Sequence, residues 1–336
     1  MTSRERVKRA LTFNFPDRVP RDLWVLPIAS NQYKEELDTI RKKFPPDIER
    51  AEYNPPLEKY TKGDMYKVGT YIDEWGCIFE NIQEGVHGEV KKPLVENWSD
   101  LEKVKPPYEL LGKGMEKVNE SCRRSDKFML GGACPRPFER MQFLRGTSNL
   151  FMDIVDQPPE FFELRKIVHE YYLKELEIWA ETEVDALMFM DDWGSQKSLL
   201  IAPELWRKLF KPLYKDYCDL IHSAGKFAFM HSDGYIFDIY QDLIEIGVDA
   251  INSQLFCMNI EEIGKHFKGK ITFWGEIDRQ HVLPSTNPHK VKEAVRRVKE
   301  ALYDPRGGII AQCEFGPGAR PENIECIFEE WEKCCT

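Results

Sequence analysis

The sequence predicts one α/β domain over residues 1–336, a (β/α)8 TIM barrel with an amino-terminal extension of helices and a small hairpin. Short apolar runs alternate with longer helical segments from about residue 126 to residue 336. These runs lack a strict polar alternation, which is typical of parallel strands buried on both faces. The chain is also long enough to supply eight strand–helix units.

The amino-terminal part, residues 1–110, is predicted to be irregular and to contribute the first barrel strand. Residues 4–11 are expected to form a helix capped by Ser3, since serine is a preferred helix N-cap. Residues 24–28 are expected to form the first strand. Residues 71–80 and 88–95 are predicted to pair as a hairpin that decorates the barrel.

The remaining part, residues 126–336, is predicted to hold six strand–helix units. The predicted strands are residues 128–131, 186–190, 227–230, 249–252, 271–274 and 309–312. The predicted helices are residues 138–144, 159–182, 203–224, 236–246, 260–267, 288–302 and 321–334. With residues 24–28 and one further strand, the total reaches eight. A doubly wound open sheet is the alternative, but no glycine-rich nucleotide fingerprint follows any strand.

Composition and charge exclude several classes of function. The net charge is −10 with acids and bases mixed along the chain, which disfavours a nucleic-acid partner. No run approaches the roughly 18 apolar residues of a membrane span, and the first residues lack the apolar core of a signal peptide. A cytoplasmic protein with reduced thiols is therefore expected. Cys334 and Cys335 are expected to be exposed and without function.

Polar side chains follow five successive predicted strands, at the point where each strand ends. Because the carboxyl ends of parallel barrel strands share one rim, we expect these side chains to lie close together and to form the active site. They are Asp191, Asp192, Trp193, His231, Asp233, Asn252, Gln254, Glu276, Asp278, Gln312, Cys313 and Glu314.

A metal site is predicted among these residues. Imidazole, thiolate and carboxylate donors together suit zinc, which takes three protein ligands in catalytic sites. His231 and Cys313 are the first two expected ligands. The third is Glu276 or Asp233, and we favour Glu276, because Asp233 is well placed to orient another ligand.

Other rim residues are candidates for catalysis and substrate binding. Successive side chains of a strand alternate faces, so one of Asp191 and Asp192 is expected to face the pocket while the other holds the loop. Four side chains are candidate substrate contacts, with the aromatic ones as walls of the pocket: Trp193, Trp274, Phe315 and Asn252.

Several motifs resemble those of the uroporphyrinogen decarboxylase superfamily. They are residues 4–11, 16–20, 191–194, 231–234 and 274–278, and Cys313 with residues 321–324. The resemblance implies a (β/α)8 barrel of one of two branches. The decarboxylase branch holds substrate carboxylates with an arginine-rich amino-terminal motif, which is missing around Arg21. The other branch comprises zinc methyltransferases that exchange methyl groups with a corrinoid protein.

The resemblance to the methyltransferase branch also suggests a donor. In the thiol-methylating members of this branch, the zinc ligands resemble a His-x-Cys pair plus a later cysteine. Here the second residue after His231 is Asp233 instead of a cysteine, whereas the later cysteine is kept as Cys313. A carboxylate in place of a thiolate leaves a more electrophilic zinc, suited to polarising an ether oxygen. Asp191 or Asp192 would then orient the substrate, and Asp233 would support the metal site.

The predicted activity is therefore demethylation of an aromatic methyl ether, with transfer of the methyl group to the Co(I) corrinoid (cobalamin) of a partner protein. Three alternatives remain open. The first is a corrinoid-linked methyltransferase that uses another donor or a thiol acceptor. The second is a divergent uroporphyrinogen decarboxylase, and the third is a non-catalytic protein that binds a corrinoid or a tetrapyrrole.

Overall fold

Eight parallel strands curl into a nearly closed barrel in the computed structural model, which describes residues 1–333. The barrel strands are β1 (Arg21–Val25), β2 (Ile48–Arg50), β6 (Phe128–Leu130), β7 (Ala186–Met190), β8 (Phe227–Ser232), β9 (Ala250–Ser253), β10 (Thr272–Trp274) and β11 (Ile309–Phe315). The other strands, β3 (Gly69–Ile72), β4 (Ile78–Asn81) and β5 (Glu89–Lys92), form a small antiparallel sheet. The predicted barrel is therefore confirmed.

The strand order around the barrel is β1-β11-β10-β9-β8-β7-β6-β2. The two ends of this sheet meet where the backbone N–H of Asp47 donates a hydrogen bond of 2.8 Å to the carbonyl of Arg21. The Asp47 carboxylate is fully buried and pairs with Arg6 and Arg18. The first helix is thereby attached to the closure of the barrel.

Thirteen α-helices accompany the strands within residues 1–333. They are α1 (Ser3–Leu11), α2 (Pro27–Gln32), α3 (Lys34–Lys43), α4 (Val118–Arg124), α5 (Pro137–Arg145), α6 (Thr147–Asp156), α7 (Pro159–Ala180), α8 (Pro203–Leu209), α9 (Lys211–Ser223), α10 (Tyr240–Ile246), α11 (Ile260–Phe267), α12 (Pro288–Leu302) and α13 (Pro321–Lys333). In this described part of the chain, none of them is both long and apolar enough to cross a bilayer.

Two hydrophobic clusters lie on the two faces of the barrel sheet. The inner cluster fills the lumen and includes Phe229, Trp274 and Ile310, while the outer cluster lies between strands and helices and includes Met230 and Cys313. Because side chains alternate along a strand, the two clusters identify which face each residue of a strand occupies. The lumen is packed with side chains, so the site must lie above it, at the mouth.

Three local differences from the sequence-based expectations have simple causes. The first strand ends at Val25, because Pro27 starts α2. The unplaced eighth strand is β2, whose three residues include two charged ones, Glu49 and Arg50, and show no apolar run. The helix expected over residues 203–224 divides into α8 and α9, since Pro212 lies in the first turn of α9.

The small sheet also has three strands instead of the two of a hairpin, and the α1 cap is one residue earlier than expected. The side chain of Thr2, rather than that of Ser3, accepts the hydrogen bond from the backbone N–H of Glu5. Cys334 and Cys335 lie outside the described residues.

Candidate metal and substrate site

His231 stands at the carboxyl end of β8, and its ring orientation is set by Asn252 on β9. Its Nδ1 lies 2.6 Å from the Asn252 Oδ1. The Asn252 amide is itself oriented, because its Nδ2 donates to the Trp274 carbonyl at 2.5 Å and to Gln312 Oε1 at 3.1 Å. Asn252 Oδ1 must therefore accept from Nδ1–H, and in the neutral imidazole the lone pair then lies on the His231 Nε2.

Two carboxylates face this lone pair. The Nε2 of His231 lies 3.6 Å from Oδ1 of Asp192 and 3.6 Å from Oδ1 of Asp233. These separations are too long for good hydrogen bonds. Two donors bound at about 2.1 Å to one ion in tetrahedral geometry lie about 3.4 Å apart, so the spacing fits a shared cation.

Paired glycines bring the two aspartates together. The backbone N–H of Gly194 donates to the Asp233 carbonyl at 3.1 Å, which ties the loop after β7 to the loop after β8. A Cβ on Gly194 would lie 2.2 Å from the Tyr235 nitrogen, and a Cβ on Gly234 would lie 2.2 Å from the Gly194 oxygen. Gly234 also has a φ of +76°. Both positions therefore require glycine for this close approach.

One buried oxygen of the group lacks a partner. Oδ1 of Asp233 is inaccessible to solvent and accepts no hydrogen bond, while the other carboxylate oxygen pairs with Arg279. An unpaired buried carboxylate oxygen costs free energy unless a cation or a donor meets it. Among residues 1–333, Asp192, His231 and Asp233 form the cluster whose potential ligand atoms all lie within 4.8 Å of one another. One imidazole and two carboxylates fit a zinc ion in a site with an open position.

Arg279 connects the acidic residues around this group. Its Nη1 donates to Glu314 Oε1 at 2.9 Å, its Nη2 pairs with Asp233, and its Nε lies 3.6 Å from Glu276 Oε1. Burial raises the pKa of Glu276 to about 8, although Arg279 opposes this rise. Burial also raises the pKa of Asp192, and His231 opposes that rise, although 43% of the Asp192 side chain remains exposed. A bound cation would favour the ionised form of Asp192.

Cys313 is not brought into this group. Gln312 and Glu314 face the lumen side of β11, where Gln312 bonds Asn252 and Glu314 bonds Arg279. Cys313, between them, faces the helices and packs in the outer cluster. Burial raises the pKa of its thiol, which disfavours a thiolate ligand. Placing Cys313 among the metal ligands is therefore not compatible with this arrangement.

Glu276 also lies outside the group of three. It is buried, its nearest charged partner is Arg279, and its Oε2 accepts no hydrogen bond. Asp233, the alternative third ligand, is the carboxylate that the structure brings next to His231.

The two adjacent aspartates have separate environments, as alternation along a strand requires. Asp191 is fully buried and faces the helices, where it accepts hydrogen bonds from the backbone N–H groups of Phe138 (2.9 Å) and Glu139 (2.7 Å) and from the Tyr214 hydroxyl (2.6 Å). It therefore caps α5 and does not face the mouth. Asp192 faces the mouth beside His231.

The aromatic side chains expected to contact a substrate are buried. Trp193 stacks on Phe138 with ring centroids 4.1 Å apart, and Phe315 stacks on Tyr33 at 5.4 Å. Trp274 fills the lumen below the mouth. The structure therefore places these three rings in the packed interior, and Asn252 holds His231 from beneath.

Two residues near the site, Arg279 and Asp22, escaped the sequence-based reasoning. Arg279 follows the singled-out residues 274–278 directly, so a basic residue beside predicted carboxylates was the available signal. The Trp24 ring lies 5.3 Å from the His231 ring. Asp22, on the luminal face of β1, accepts hydrogen bonds from Trp24 Nε1 at 3.0 Å and Trp274 Nε1 at 2.9 Å. No motif identified Asp22.

The buried carboxyl of Asp22 predicts a pH-dependent stability. Burial raises its pKa from 3.8 to about 6, against the hydrogen bonds from Trp274 and Trp24. Between these two values the folded protein keeps a proton that the unfolded chain has lost, so stability falls as the pH rises. As the pH rises through this interval, we expect the free energy of unfolding of the wild type to fall by about 3 kcal/mol relative to that of an Asp22→Asn variant, which has no carboxyl at this position.

Urea unfolding of both proteins from pH 4 to pH 7 measures this difference, and the comparison with the variant cancels the contributions of the other carboxyls. A difference between the two proteins that stays constant across the pH range would contradict the assignment of the effect to Asp22.

Comparison with known proteins gives a match to one protein family and similarities to solved structures. A family model described as "Uroporphyrinogen decarboxylase (URO-D)" matches residues 72–334. A methyltransferase from Methanosarcina mazei is similar in structure, with a TM-score of 0.74 and 15% sequence identity over 100% of both chains. A B12-independent methionine synthase from Shewanella has a TM-score of 0.48 and 11% identity, over 91% of this chain and 87% of its own. No curated protein matches the sequence.

Proposed function

Because this chain belongs to the uroporphyrinogen decarboxylase family, we propose that it is a zinc-dependent methyltransferase that demethylates a small aromatic methyl ether and passes the methyl group to the Co(I) corrinoid of a partner protein. The observation that carries this proposal is the His231 Nε2 lone pair facing two carboxylates 3.6 Å away, one with a buried unpaired oxygen. An imidazole nitrogen and two carboxylate oxygens at these distances are suitable ligands for a divalent cation.

The proposed ligands are His231, Asp192 and Asp233, in place of the set that included Cys313 and Glu276. When bound, zinc would act as a Lewis acid that stabilises the negative charge developing on the leaving oxygen of the donor. Asn252 keeps His231 in the tautomer that can bind a metal, and Arg279 holds the second oxygen of Asp233. These two residues fix the ligand geometry before the donor arrives.

The donor set favours an ether over a thiol as the reacting group. Oxygen and nitrogen ligands without a thiolate give a harder and more electrophilic metal. An aryl ether also has a good leaving group, since a phenol has a pKa of about 10. The residues of the site would therefore need only to stabilise the phenolate that forms as the methyl group is transferred to the partner's Co(I) corrinoid.

The surroundings of Arg279 argue against decarboxylation of a tetrapyrrole. A decarboxylase of polycarboxylates needs free cationic side chains at its mouth to bind the substrate. Arg279 is already paired with Asp233, Glu314 and Glu276. Because the positive charge of Arg279 is neutralised by these acidic residues, the mouth favours a substrate that does not carry several carboxylates.

A screen of methoxylated aromatic compounds tests the proposed function. Purified protein, its zinc content measured, is mixed with each compound and with a reduced corrinoid protein, and methyl-Co(III) formation is followed by absorbance. We expect about one zinc per chain and turnover with at least one aryl methyl ether. Methyl transfer that persists in a metal-free preparation would contradict the role of zinc, and transfer from thioethers or amines alone would contradict the ether donor.

A further inference from the structure

A cavity of about 570 Å³ lies between the small sheet and helices α5 and α7. Nine phenylalanine, tyrosine and tryptophan side chains line it. Tyr171, Glu175 and Trp179 follow each other at spacings of four residues, so one face of α7 forms a wall. Tyr53, which belongs to the amino-terminal extension, packs against this wall, with its ring centroid 5.0 Å from that of Trp179.

The cavity adjoins the candidate metal site and is separate from it. Glu139 lines the cavity, and its backbone N–H donates to Asp191, the neighbour of Asp192. None of the three proposed metal ligands lines the cavity. The mouth of the barrel therefore has an aromatic chamber on its β6 side and a metal site on its β8 side.

The charged residues of the cavity wall leave an excess of negative charge. Four carboxylates line the cavity against two guanidinium groups. Arg136 pairs with Glu139 at 2.8 Å, and Arg140 pairs with Asp73 and with Glu74, at 3.3 Å from the latter. Arg140 is also buried over the Trp75 ring, 5.0 Å from its centroid. Both guanidinium groups are thus held by the protein's own acidic residues.

Glu175 is the carboxylate of the wall that no cation holds. Within residues 1–333 it makes no ion pair or hydrogen bond, and its electrostatic neighbours are Glu74, Arg136 and Arg140. Tyr53 and Tyr171 lie close enough for the Glu175 charge to raise the pKa of both hydroxyls, in addition to the effect of burial. An unpaired carboxylate among aromatic faces is the arrangement that recognises organic cations.

We propose that this cavity binds a small organic cation of the methylated ammonium class, held between the Glu175 carboxylate and the rings of Tyr53, Tyr171 and Trp179. The aromatic faces attract the diffuse positive charge of such a group, and the carboxylate neutralises it. This inference goes beyond the proposed methyl transfer and does not depend on it, because binding requires neither zinc nor a corrinoid.

The protonation of Glu175 gives the proposal a second readout. Burial and Glu74 raise its pKa to about 7, while Arg136 and Arg140 oppose the rise. The other titratable groups close enough to interact with it are the hydroxyls of Tyr53, Tyr171, Tyr172 and Tyr217 and the thiol of Cys134. A bound cation stabilises the ionised carboxylate, so binding releases a proton and becomes tighter as the pH rises through about 7.

Three matched probes test the proposal by calorimetry on the full chain. They are choline, its neutral isostere with a tert-butyl group in place of the trimethylammonium group, and the carboxylate anion obtained when the alcohol end of that isostere is oxidised. We expect choline to bind at least about tenfold more tightly than the neutral compound, with proton release near pH 7. Equal or tighter binding of the neutral or anionic probe, or no choline binding at millimolar concentration, would overturn the proposal.

Variants then locate the bound cation. Glu175→Gln is expected to weaken choline binding about tenfold or more and to abolish proton release, while Glu177→Gln, an exposed control on the same helix, leaves both unchanged. Tyr53→Leu is expected to weaken binding about fivefold, and Tyr53→Phe to restore it, because the ring makes the contact. Thermal unfolding verifies that each variant is folded. Choline binding that is the same in Glu175→Gln and Tyr53→Leu as in wild type would exclude this cavity.

Discussion

A His231→Ala variant is expected to lose its zinc and to transfer methyl groups at least about a thousandfold more slowly than wild type. His231 is the proposed nitrogen ligand, and its Nε2 lies 3.6 Å from a carboxylate oxygen of Asp192 and of Asp233. Without it, two carboxylates remain, and one of them is shared with Arg279. Metal analysis after dialysis and the rate of methyl-Co(III) formation measure the two effects.

Cys313→Ala is the matched control for this experiment. The thiol faces the outer cluster, away from the mouth, so the variant is expected to keep about one zinc per chain and most of its activity. A small loss of stability, about 1 kcal/mol, is expected from the smaller side chain in the core. Loss of zinc in Cys313→Ala with retention in His231→Ala would refute the proposed ligand set.

Alanine substitutions of the adjacent Asp191 and Asp192 are expected to have different effects, the first on the stability of the fold and the second on zinc affinity. Asp191→Ala should lower the free energy of unfolding by about 3–5 kcal/mol, because it leaves two buried backbone N–H groups and the Tyr214 hydroxyl without their acceptor. Denaturant unfolding measures this loss.

Asp192→Ala should change stability by about 1 kcal/mol or less, because the side chain is partly exposed. Its zinc affinity should fall at least about a hundredfold, since one of the three proposed ligands is removed. Competition with a chelator measures this affinity. A stable Asp191→Ala protein, or an Asp192→Ala protein that binds zinc as tightly as wild type, would show that the two roles are assigned incorrectly.

Counting the apolar runs that alternate with helical segments along the chain was sufficient to predict the barrel. Apolar runs without alternation mark strands such as β7 and β11, because a strand covered on both faces needs apolar residues throughout. β2 escaped this reasoning, since its three residues carry two charges and only its parallel pairing with β6 makes it a strand. The split between α8 and α9 was visible in principle at Pro212.

The sequence by itself determined that polar groups gather at one rim, because parallel strands all end at the same edge of the barrel. Only the tertiary structure decided which of them meet. A one-residue step along a strand reverses the direction of a side chain, so the exact register turns Cys313 and Asp191 towards the helices and leaves His231 facing the mouth. Asp192 and Asp233 meet because two glycines allow their loops to touch, and Arg279 joins Asp233 to Glu314 across the barrel mouth. Such contacts depend on distances in space that the order of residues does not contain.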